Sequence, residues 1–128
     1  MRLSPVLALV LLTATPARAG SSWPAEAAVM EATGRAFVAG RMQRDPAAAL
    51  ALCKGVEDLY GAQGGYLAAL VERCYAESQD DKAVSCQRYA RAIALWNGPP
   101  GPRPDPDYQE TRDGILATLV EWKAKNCA

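Results

Sequence analysis

Cys53, Cys74, Cys86 and Cys127 are the residues of this chain whose type and number most invite a chemical reading. Zinc, thiol exchange, covalent haem and cross-linking each demand a different spacing. A four-cysteine zinc site presents two close pairs, whereas 20, 11 and 40 residues separate these four. Thioredoxin-type exchange uses C-x-x-C and covalent haem C-x-x-C-H. Neither string occurs, and the chain contains no histidine. Two structural disulfides are therefore expected, with no metal and no cofactor.

Other chemistry fares no better. Without histidine, the Ser-His-Asp and Cys-His arrangements are excluded. The adjacent carboxylates Glu57-Asp58 and Asp80-Asp81 would point about 100° apart on a helix and do not flank a bond as a hydrolytic pair must. They read as solvated faces and helix caps. The glycine-rich GAQGG at 61–65 lacks the lysine of a phosphate loop and follows a helix instead of a strand. No residue is assigned a catalytic role, and the chain is not expected to be an enzyme.

The first residues bear on the compartment. Arg2, the apolar run Val6–Leu12 and the small-residue site Ala17-Arg18-Ala19 have the layout of a secretory signal peptide. The apolar run is too short for a membrane anchor, and no cysteine follows the cleavage site to carry a lipid. The expected organisation is a signal peptide at 1–19 and a single domain at 20–128. Arg2 and Arg18 go with the leader, so the 14 basic residues fall to 12 against 14 acidic ones, a net charge of −2. Such a chain has no electrostatic reason to bind nucleic acid. Arginine outnumbers lysine ten to four and alanine is abundant. That is the composition of a GC-rich bacterial genome, making the expected destination the periplasm, or secretion. Small exported domains with modest cores are commonly reinforced by disulfides.

Apolar residues recur at helical spacing almost throughout. A first helix is expected from Ser22 as cap and Trp23-Pro24, with an inward stripe of Trp23, Ala27, Met30, Gly34, Phe37 and Arg41. Asp45-Pro46 reads as cap and first helical residue of a second helix burying Ala49, Leu52, Cys53, Val56, Leu59 and Tyr60. Gly61, Gly64 and Gly65 break it. A third helix follows, with Leu67, Leu70, Val71 and Cys74 along one side. Ser78-Gln79-Asp80-Asp81 ends that helix and caps a fourth, Lys82–Trp96, with Cys86, Tyr89, Ala90, Ile93 and Trp96 inward. Residues 97–107 hold five prolines, which forbid a regular helix. Asp105-Pro106 launches the last helix, facing Ile115, Leu116, Leu119 and Trp122 inward. The fold class is all-α: a small antiparallel bundle of four to five helices stapled by two disulfides.

Three pairings of four cysteines are possible. Cys74 and Cys86 each lie six residues from position 80, the centre of a helical turn, so the favoured pairs are Cys74 with Cys86 and Cys53 with Cys127. The rival joins Cys53 to Cys74 across the glycine turn and Cys86 to Cys127.

With chemistry absent, recognition is the leading expectation: a periplasmic protein-binding domain of inhibitor or toxin-immunity type, whose partner is another envelope protein. A structural or accessory envelope scaffold is the alternative, and a small hydrophobic-ligand carrier a third. The contact candidates are Arg103, Asp105, Asp107 and Tyr108 on and beside the proline-rich loop, whose preset backbone loses little entropy on binding. A stiff connector is the plainer reading of that loop. Tyr66 and Tyr75, off the main apolar stripes, are the candidates for an exposed contact surface.

Overall fold

The computed structural model describes residues 23–99 and 109–128. The leader-like segment and most of the proline-rich stretch lie outside the described residues. The all-α expectation holds. Five helices follow in order: α1 (Trp23–Phe37), α2 (Pro46–Tyr60), α3 (Gly65–Glu77), α4 (Lys82–Asn97) and α5 (Gln109–Asn126). Among the described residues no helix is long and apolar enough to cross a membrane.

The punctuation residues act as their chemistry requires. Asp45 caps α2 by accepting from the Ala48 amide at 3.1 Å, with Pro46 in the first turn. Asp81 caps α4 by accepting from the amides of Ala83 and Val84 at 2.9 and 3.2 Å. Between α2 and α3, Gly64 and Gly65 take φ of 69° and 54°, the left-handed region that side chains resist.

The third helix is the axis of the bundle. It packs against α1, α2 and α4, while α5 lies on α4. Tyr66, Leu67, Ala69, Leu70, Val71, Cys74, Tyr75 and Ala76 are all buried, as befits a helix with neighbours on several sides. The expected stripe Leu67, Leu70, Val71 and Cys74 is part of this core.

The first helix differs from expectation. Its buried residues are Glu26, Val29, Ala32, Thr33 and Ala36, so it is turned by about one residue from the expected stripe. Met30 is only half-buried, while Gly34, Phe37 and Arg41 are exposed. Small side chains let α1 approach α3 closely. The chain then widens into a π-helical turn, Val38–Met42, which turns both Ala39 and Gly40 inward. A Cβ on Gly40 would lie 2.0 Å from the backbone oxygen of Ser78. Bonds from the Gln43 amide to Val38 O and the Asp45 amide to Ala39 O close this turn. Arg44 between them is held at φ 57°, a conformation that costs a residue with a side chain roughly 1–2 kcal/mol. In the other helices Leu59 and Trp122 are exposed, contrary to their expected burial. Ser85 and Ala92 replace Cys86, Ala90 and Ile93 as fully buried positions of α4.

The disulfides join Cys53 to Cys74 and Cys86 to Cys127, with Cα separations of 5.7 and 5.0 Å. The favoured pairing of Cys74 with Cys86 and Cys53 with Cys127 is thus overturned in favour of its rival. Equal distance from the α3–α4 turn sets equal height, not equal direction. The residue of α4 that faces α3 is Ser85, whose hydroxyl donates to Ala76 O at 2.9 Å. Cys86 lies about 100° further round, toward α5, and Cys74 points to α2. For loops of 21 and 41 residues, the chain-entropy relation assigns about 3 and about 4 kcal/mol. Disulfides form and persist in oxidising compartments, and no free cysteine remains among the described residues. This fits an extracytoplasmic chain.

The two glycines of the α1 region should respond in opposite ways. Gly40→Ala forces a methyl onto the Ser78 carbonyl and lowers stability by about 1–3 kcal/mol. No atom lies within 4 Å of a Cβ on Gly34, so Gly34→Ala raises it by about 0.5–1 kcal/mol. Urea denaturation of both variants checks the pair of signs.

Candidate functional site

Arg103, Asp105, Asp107 and Tyr108 lie outside the described residues. Tyr66 and Tyr75 do not form an exposed contact surface, because both are buried. Each instead sits in a polar–aromatic cluster that sequence reasoning missed.

Around Tyr66 the cluster spans four helices. Glu26 of α1 and Arg112 of α5 are 0% and 1% exposed on their side chains, and Arg112 Nη2 donates to Glu26 Oε1 at 3.2 Å. The same guanidinium lies 4.7 Å from the centre of the Tyr66 ring. Trp96 at the end of α4 meets Tyr66 edge to face, with centroids 4.4 Å apart. The starts of α1, α3 and α5 and the end of α4 are thereby gathered at one end of the bundle. The available sequence signal was weak: an arginine seven residues ahead of Leu119 and three ahead of Ile115, on the same helical stripe.

Around Tyr75 the network is nearer the surface. Its hydroxyl donates to Glu57 Oε1 at 2.7 Å, and Arg88 lies 4.5 Å from its ring centre. Arg88 also bonds the buried Glu72 at 2.9 Å, with Arg91 3.6 Å away. Burial, reinforced by the Glu57 carboxylate, pushes the Tyr75 phenol above its ordinary range. Burial, with the charge of Glu77 next, does the same to Tyr89. The paired acids are engaged one by one. Glu57 accepts from Tyr75, Asp58 pairs with Lys54, Asp80 with Arg41, and Asp81 is a cap.

The exposed candidate is a groove between α1 and α3. Met30, Thr33, Gly34 and Phe37 line one side and Arg73 and Glu77 the other, enclosing about 310 Å³. It exists because Gly34 projects nothing into it. The Thr33 hydroxyl is turned back to Val29 O at 2.8 Å. Arg73 and Glu77, one turn apart, are ion-paired with each other. Beyond the groove three apolar side chains are exposed. Phe37 and Val38 are each 39% exposed and Met42 67%, following Gly34 at intervals of three and four residues. Arg41 covers Phe37 with its guanidinium 5.4 Å from the ring centre and reaches Asp80 at 3.4 Å. Sequence reasoning placed Met30 and Phe37 in the core. The alternative stripe of Val29, Ala36 and Gly40 was available but less hydrophobic.

Comparison with known protein families, characterised proteins and solved structures finds nothing that matches this chain.

Removing either partner of the Glu26–Arg112 pair takes away a charge-assisted contact made in the interior. Glu26→Ala and Arg112→Ala each lower stability by about 3–5 kcal/mol, whereas Glu26→Leu combined with Arg112→Met lowers it far less. A double-mutant cycle by chemical denaturation measures the difference.

A phenol kept neutral in the folded chain and free to ionise in the unfolded one stabilises the fold fully below the ordinary tyrosine pKa near 10. That contribution is lost as pH rises beyond it. Stability should therefore fall above about pH 10. Tyr75 and Tyr89, of five tyrosines in the chain, should ionise late, together with unfolding, in an ultraviolet absorbance titration.

Proposed function

We propose that this chain is an exported, non-catalytic protein-binding domain of the cell envelope, of inhibitor or toxin-immunity type, and that its contact surface is the α1–α3 groove with the adjoining apolar ridge. The observation that carries this reading is the exposure of Phe37 on the groove, with Val38 and Met42 also exposed on the π-helical turn that follows it. Clustered exposed apolar side chains mark interaction sites more often than scattered ones do. Aromatic and methionine side chains are also enriched at interfaces.

The scaffold suits the task. Gly40 seats the π-helical turn against the end of α3, and the Cys53–Cys74 bond ties α3 to α2. The ridge is therefore held in shape before a partner arrives, which reduces the entropy lost on binding. The signal-like leader and the disulfides support a periplasmic or secreted location. The proline-rich loop with Arg103 and Tyr108 is a second place of contact on the same reading.

The test is capture of the partner from an envelope extract by the tagged, processed protein, followed by binding measurements on variants. Phe37→Asp with Met42→Asp should weaken the recovered complex at least tenfold while circular dichroism stays unchanged. If those changes are silent and Arg103→Ala or Tyr108→Ala abolishes binding, the loop is the contact surface instead. If all leave binding intact, the groove reading fails and a scaffold using other helix faces takes its place.

A further inference from the structure

The two disulfides occupy opposite environments. Cys53 and Cys74 are both 0% exposed, embedded in the core between α2 and α3. Cys86 is only half-buried and Cys127 is exposed. Reduction requires a thiolate to reach a sulfur, so the outer bond can be attacked in the folded protein and the inner one cannot.

What the outer bond holds is a lightly packed helix. Ile115 and Leu119 are the buried apolar side chains of α5, with Leu116 half-buried, while Val120 and Trp122 face solvent. At its start α5 is anchored through Arg112 to Glu26. Past Leu119, a covalent bond joins Cys127 to Cys86 of α4. An element with few buried apolar contacts belongs to the low-stability end of a fold.

We propose that Cys86–Cys127 is a dithiol-reducible latch whose opening frees the C-terminal half of α5 from α4, while Cys53–Cys74 remains a permanent staple. One thiolate of the dithiol attacks the exposed Cys127 Sγ. The bond between the two cysteine sulfurs breaks, and Cys86 leaves as a thiolate that takes up a proton. The second thiol of the reductant then attacks its own sulfur in the mixed disulfide, releasing Cys127 as a thiol. Two electrons pass to the protein, and the dithiol becomes a disulfide. The helix peels from Asn126 toward Arg112, which stays paired with Glu26 as the hinge-side anchor.

The test exposes the oxidised protein to graded dithiothreitol without denaturant, traps thiols with iodoacetamide and maps them by peptide mass spectrometry. Cys86 and Cys127 should be alkylated at least tenfold faster than Cys53 and Cys74. Amide hydrogen exchange of the half-reduced species should rise at least tenfold over residues 116–126 and stay unchanged over α3. The Cys86→Ser, Cys127→Ser double variant should show the same exchange pattern without reductant. Reduction of all four cysteines at one common rate would overturn the proposal. So would a half-reduced protein whose α5 exchanges as slowly as in the oxidised one.

Discussion

The burial of Glu26 against Arg112, 86 residues away in sequence, ties the start of α1 to the start of α5. A carboxylate cannot enter the interior without a cation, and the cation cannot enter without the carboxylate. Val29, Thr33 and Ala36 of α1 and Gly40 of the π-helical turn are buried with Glu26, at steps of three and four residues. Met30 is half-buried beside them, while Phe37 and Arg41 are exposed. The pair ties α1 to α5 even where it adds little net stability.

A second constraint is how closely the helices approach. A face of alanine, threonine and glycine brings the end of α1 so near α3 that the Ser78 carbonyl occupies the space of a missing Cβ. The π-helical turn is what delivers both Ala39 and Gly40 to that contact. The ridge of Phe37, Val38 and Met42 is the outer side of the same arrangement. Core and candidate surface are thus two faces of one helical segment.

Much of the architecture was legible in local chemistry. Asp45-Pro46, Asp81 and the Gly64-Gly65 turn signal their roles within a few residues, and the inward set of α3 follows from its period. The errors share a cause. Hydrophobicity ranks Met30 and Phe37 above Ala32 and Ala36, whereas the close contact beside Gly40 favours the face of small side chains. The cysteine pairing needed the direction of each side chain around its helix, which spacing from a turn does not encode. Tyr66 and Tyr75 fell off the stripes because their burial depends on Arg112, Trp96, Glu57 and Arg88, which come from other helices. None of the groove was visible, since it is defined by where α1 and α3 fail to fill space.

The disulfide order has a bearing on biogenesis. First cysteine joins second and third joins fourth, so neither loop encloses a residue of the other pair. A chain threaded through a pore from its N-terminal end can have each bond sealed as its two sulfurs emerge. The correct pattern is then reached with no mispaired bond to break and remake.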